Sequence, residues 1–171
     1  MANANMIAAV YNNPAQTINS TSETVIVNAA GTPFSVVMPP NANVDGGRAF
    51  RLRCYGTATG GTSATLLLKF YTGTSTTVGS DTAVAAFTIS GAAIPATGGN
   101  FDVYVDMTWD STSKIINGFK GGHTNGTLTS QAAITAVTGI SLPIPFLVSA
   151  TFGAALSTNT VTATELSIEQ L

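Results

Sequence analysis

The chain has 171 residues and only 14 charged side chains, six basic and eight acidic, for a net charge of -2. Six basic groups cannot supply the run of phosphate contacts behind nucleic-acid affinity, and a lone cysteine excludes an intrachain disulfide. The length suits one domain able to bury about 70% of its unfolded surface, so neither a disulfide nor a structural metal is needed for stability.

Charged residues make up 8% of the chain against an ordinary ~25%. Small polar residues stand in their place: 27 Thr, 14 Ser and 12 Asn, beside 24 Ala and 17 Gly. Thr favours strands, while Gly, Asn and Ser favour the turns between them. Disorder pairs low hydrophobicity with high net charge, and this chain, 44% hydrophobic, has neither. No stretch reaches the roughly 18 apolar residues of a membrane helix. Met1 to Val10 shows no basic segment and only a short apolar one, so it does not read as a secretion signal. The expectation is a soluble protein made in a cytoplasm, with no membrane partner.

Residues 1–22, broken by Asn12-Asn13-Pro14, read as an extended N-terminal arm, and residues 23–171 as a single domain. Thr24 to Asn28 and Phe34 to Met38 are short strands, the second stopped by Pro39-Pro40, since proline removes a ladder donor. Arg48 to Tyr55 alternates, with Phe50, Leu52 and Cys54 on one face and Arg51, Arg53 and Tyr55 on the other. Period two with one apolar face is the pattern of a half-buried strand. After the Gly60-Gly61 turn, Ala64 to Tyr71 sets Leu66, Leu68 and Phe70 against Leu67, Lys69 and Tyr71.

Ala83 to Ile89 is the next strand, and Phe101 to Asp110 is the most regular of all. Phe101, Val103, Val105, Met107 and Trp109 oppose Asp102, Tyr104, Asp106, Thr108 and Asp110. Asp110 to Ser113 suggests a hairpin turn into Lys114 to Lys120, with Gly121-Gly122 and Asn125-Gly126 as further breaks before a weaker strand, Leu128 to Val137. Phe146 to Phe152 alternates again. In Thr160 to Leu171 the apolar phase changes from odd (Val161, Ala163) to even (Leu166, Ile168). That predicts a β-bulge near Thr164-Glu165. No helical period persists, so the fold class is all-β: an antiparallel β-sandwich of jelly-roll type with about eight to ten strands.

Catalytic groups are scarce. His123 is the single imidazole and lies among glycines, and Cys54 falls on an apolar face, where a cysteine behaves as a small hydrophobe. There is no Gly-x-Ser-x-Gly elbow and no phosphate loop. Asp102, Asp106 and Asp110 share one strand face, but neighbours four apart lie about 13 Å from each other, too far for one cation to bridge. A calcium site there would need loop carbonyls from elsewhere. No catalytic residue, metal ligand or cofactor is predicted, and the chain is not read as an enzyme. Asn19-Ser20-Thr21 and Asn125-Gly126-Thr127 fit a glycosylation pattern, which chance explains in an Asn- and Thr-rich chain. If their strands are neighbours, Tyr55, Tyr71 and Tyr104 with Arg51, Arg53 and Lys69 form one amphipathic patch, a candidate interface.

The stretch Gly47-Arg48-Ala49-Phe50-Arg51-Leu52-Arg53-Cys54-Tyr55-Gly56-Thr57, preceded by Pro39-Pro40-Asn41 and followed by Ala64 to Gly73, resembles tailed-phage head proteins. These are the jelly-roll decoration, or cement, proteins and related head fibres. Phe146 to Gly153 and the closing strand after Asn159-Thr160 are similar to them too. The resemblance implies a structural virion protein on the capsid exterior, a homotrimer clamping subunits of the major capsid protein, with the arm as the capsid-contacting element. The alternative is a receptor- or glycan-binding module of a fibre or adhesin. A jelly-roll shell protein is a minor alternative, since no Lys or Arg precedes Arg48 to meet packaged genome.

Overall fold

The computed structural model describes residues 5–11, 13–40, 49–60, 64–90, 94, 97–110, 115–124 and 127–171. The hairpin turn expected at 110–113, the Asn125-Gly126 break and parts of the resembling stretch (Asn41, Gly47, Arg48) lie largely outside them.

The described chain forms twelve strands in two antiparallel sheets. Sheet A runs β1 (Asn5–Tyr11), β12 (Thr160–Gln170), β5 (Ala49–Thr59), β8 (Gly99–Asp110), β9 (Ile115–Thr124), β10 (Thr127–Ala133), and β2 (Gln16–Thr17) also pairs with β12. Sheet B runs β3 (Thr24–Val25), β11 (Ile144–Phe152), β6 (Leu66–Thr72), β7 (Thr82–Ile89), and β4 (Ser35–Met38) also pairs with β11. The pairs nest: β6–β7 is innermost, then β5–β8, β4–β11 and β1–β12. Successive pairs belong alternately to sheets B, A, B and A, the path of one long double-stranded ribbon wound around the core. That winding is the jelly roll. The β9–β10 hairpin is an insertion that widens sheet A beyond β8.

The alternating strands face as their sequences require. Phe50, Leu52 and Cys54 of β5, Phe101 to Trp109 of β8 and Phe146, Val148, Ala150 and Phe152 of β11 interleave with Leu66, Leu68 and Phe70 of β6 in one core. Trp109 is buried, and its Nε1 donates to the carbonyl of Ile140 at 3.2 Å. The expected bulge is in place: β12 pairs Ala163 with Gly56 and Glu165 with Tyr55, leaving Thr164 as the extra residue.

Two expectations are corrected. The arm of residues 1–22 is instead largely folded into the domain. β1 and β2 lie end to end along one flank of β12, where Ile7, Ala8 and Val10 pack on the core. β1 and β2 are additional to the strands read from the sequence and bring the described total to twelve. Gly121-Gly122 is not a break but the middle of β9, running beside β8 from Ile115 to Thr124.

Candidate functional site

Charge gathers on the outer face of sheet A, because β5, β8 and β12 each turn one alternate set of residues away from the core. The register lays them out in rows. Arg51 stands between Asp106 and Glu169, Arg53 between Tyr104 and Ser167, and Tyr55 between Asp102 and Glu165. β1 adds Tyr11 beside Glu165, and β9 adds His123 beside Asp102.

Both arginines are held by bidentate pairs. Arg51 donates through Nε and Nη2 to the Asp106 carboxylate at 2.6 and 2.8 Å. Arg53 does the same to Asp102, one step along the ladder, at 2.8 and 2.7 Å. The fork of a guanidinium matches a carboxylate in this geometry. These hydrogen bonds outweigh partial burial and raise the pKa of each arginine above its already high ordinary value. The Arg51 guanidinium also lies 4.1 Å from the centre of the Tyr104 ring, a cation–π arrangement. Ser167 sits fully buried between these groups, its Oγ without a hydrogen-bond partner. Asp102 and Asp106 are thus occupied by cations of the protein itself. Among the described residues no group of three His, Cys, Asp or Glu is placed to hold a metal ion.

The predicted six-residue patch is split. Arg51, Arg53, Tyr55 and Tyr104 share the outer face of sheet A, but Lys69 and Tyr71 lie on the outer face of sheet B, across the core. There Glu23, which sequence reasoning passed over, accepts from Lys69 Nζ and from the Tyr71 hydroxyl, both at 2.7 Å, and from Ser149 Oγ. Burial works against the ionised Glu23, yet the hydrogen bonds from Lys69, Ser149 and Tyr71 together hold its pKa below the ordinary value. Tyr71 is only 6% exposed, packed with Val25 and Leu147. It braces the fold and presents little surface.

The remaining chemistry-bearing residues stand apart. Cys54 is wholly buried, and burial pushes its thiol far above the ordinary range, away from thiolate nucleophilicity. His123 is exposed near the end of β9. Lys120 reaches from β9 to the carbonyl of Ala86 on β7, with its ammonium 5.7 Å from the Phe87 ring centre. A groove of about 370 Å³ lies there, and a second, of about 550 Å³, runs between β1 and the turn before β4. Neither was legible beforehand, because each is walled by segments distant in sequence.

No family model and no curated protein matches the chain. Among solved structures, the chain is similar to a legume lectin-like domain from Entamoeba histolytica, with TM-score 0.39 and 8% identity over 96% of this chain and 90% of that one. It is similar also to the metal-free form of lectin I-B4 from Griffonia simplicifolia, with TM-score 0.32 and 7% identity over 95% of this chain and 92% of the other.

Proposed function

We propose that this protein is a non-catalytic structural module, a decoration protein of a tailed-phage head, that docks on the major capsid protein through the outer face of sheet A. One observation carries the reading: Tyr55 and Tyr104 stand beside Arg51 and Arg53, whose guanidinium groups are already fixed by Asp106 and Asp102. Tyr and Arg are the types enriched in the centres of protein interfaces. Arginines locked before contact lose little side-chain freedom on binding. A sheet face suits a broad protein partner, whereas small molecules are taken in concavities. Docking repeated by symmetry turns modest contacts into tight attachment, so a homotrimer on the capsid exterior would need neither a cofactor nor an active site. Purified protein mixed with undecorated heads should co-sediment, and Tyr104→Ala with Arg53→Glu should weaken that binding. Absence of bound protein by cryo-electron microscopy rejects the proposal.

A second reading, a glycan-binding module, is favoured by the uncharged groove beside Tyr11, which has the concavity that the sheet face lacks.

A further inference from the structure

Among the described residues β1 pairs only with β12, and β4 only with β11, so these two strands are neighbouring edges of the two sheets on one side of the sandwich. The groove of about 550 Å³ lies along this side, within the range of ligand sites. Its far wall is stiff. Asn28 Oδ1 accepts from the backbone N–H of Ala30 at 2.9 Å and of Thr32 at 3.2 Å. The Asn28 N–H donates to the Thr32 carbonyl at 2.8 Å, and Gly31, at φ 77°, closes the turn onto the Asn28 carbonyl. Oδ1 is used twice within the turn, and Nδ2 is the donor of the same amide.

The lining has a consistent chemistry. Asn28, Thr32 and Ser35 bring an amide and two hydroxyls, while Tyr11, 55% exposed, is the most exposed aromatic residue among the described side chains. Val10 and Phe34 supply apolar surface, and among the described residues no Lys, Arg, His, Asp or Glu lines the groove. An anion would find no counter-charge among these residues. A neutral molecule with one apolar face and a hydroxylated edge fits what is present.

We infer that this groove binds a neutral saccharide, its hydroxyls met by Asn28, Thr32 and Ser35 and its apolar face laid on Tyr11. The inference rests on the glycan-binding reading and names its site and ligand class.

The test is ligand-observed saturation-transfer NMR with methyl glycosides of glucose, galactose, mannose and N-acetylglucosamine, with sialic acid as the anionic control and an array of neutral glycans alongside. At least one neutral glycoside should bind, sialic acid should not, and Tyr11→Ala and Ser35→Ala should each lower affinity about 3- to 10-fold. Leu156→Ala, exposed in the loop between β11 and β12, should leave sugar affinity unchanged, and unchanged melting curves establish that the variants are folded. Neutral sugars binding with no effect of Tyr11→Ala or Ser35→Ala would overturn this site and leave the glycan-binding reading standing. Preference for sialic acid would overturn the ligand class. Silence from the glycosides and the array would overturn site and reading together.

Discussion

Arg53 and Asp102 meet fork to fork across β5 and β8, with both nitrogen–oxygen distances under 3 Å, although Arg53 stands directly opposite Tyr104 in the register. The diagonal reach leaves the Tyr104 ring to Arg51. The two arginines, two aspartates and one tyrosine therefore act as one brace over three rungs of the sheet.

That brace should be measurable but modest, since both pairs are roughly one-third exposed and water screens them. A double-mutant cycle of Arg53→Ala and Asp102→Ala, read by urea unfolding, should give a coupling of about 0.5–1 kcal/mol that shrinks as salt is added. Coupling indistinguishable from zero at low salt would show that the pair positions side chains without stabilising the sheet.

Glu23 should make stability depend on pH on the acid side. Its folded-state pKa lies below the ordinary 4.5, so its contribution is fully present above about 4.5 and is lost as pH falls through the lower folded-state value. Glu23→Gln should be about 1–2 kcal/mol less stable than the parent at pH 7. The gap should close progressively as both proteins are unfolded at lower pH. An equal gap at pH 7 and pH 3 would place the effect in packing and not in the carboxylate.

Lys120 guards an edge. Among the described residues β7 pairs only with β6, and its Ala86 carbonyl is taken by the Lys120 ammonium. A charged side chain at an open edge discourages pairing with another chain. Lys120→Ala should lose about 1–2 kcal/mol and form species larger than the parent in sedimentation velocity. A sedimentation profile like the parent's would mean that the edge is protected by other means.

Gly56 should tolerate no side chain. A Cβ there would collide with the Thr162 carbonyl and come within 2.6 Å of the Phe101 ring, where the strand beside the β12 bulge presses close. Gly56→Ala should cost about 3 kcal/mol or more. Gly31→Ala, at φ 77° with open space around it, should cost about 1–2 kcal/mol. Similar melting temperatures for the two variants would contradict this packing.

Where alternation was strong, the sequence reading held: the faces of β5 and β8, the buried Trp109 and the displaced Thr164 all follow from period two. It failed where the period was hidden. β1 sets Ala8-Ala9 between Ile7 and Val10 and slips register between Met6 and Ala8, so its apolar positions show no clean alternation and look like an arm. β9 carries glycines for want of space, since a Cβ on Gly118 or Gly122 would run into the β8 backbone at Asp106 or Asp102. Glycine spacing alone reads as turns. The candidate patch failed for another reason: period two tells which face of a strand is polar, but not to which sheet the strand belongs. Lys69 and Tyr71 look outward as expected, on the opposite side. The second half of β12 did hold a usable signal, because Glu165, Ser167 and Glu169 alternate with Leu166 and Ile168 and complete the charged face.

The nesting of β1 against β12 also sets an order of events during synthesis. Asn5 finds its place beside Gln170, so β1 must wait for β12 before it can join the sheet. Until then β1 carries Ile7 and Val10 uncovered, and the inner hairpin β6–β7 is the earliest of the nested pairs that can close. Such distant pairing slows folding. A ribosome-bound fragment that stops short of β12 should keep β1 open to proteases, and release of the last strand should protect both at once.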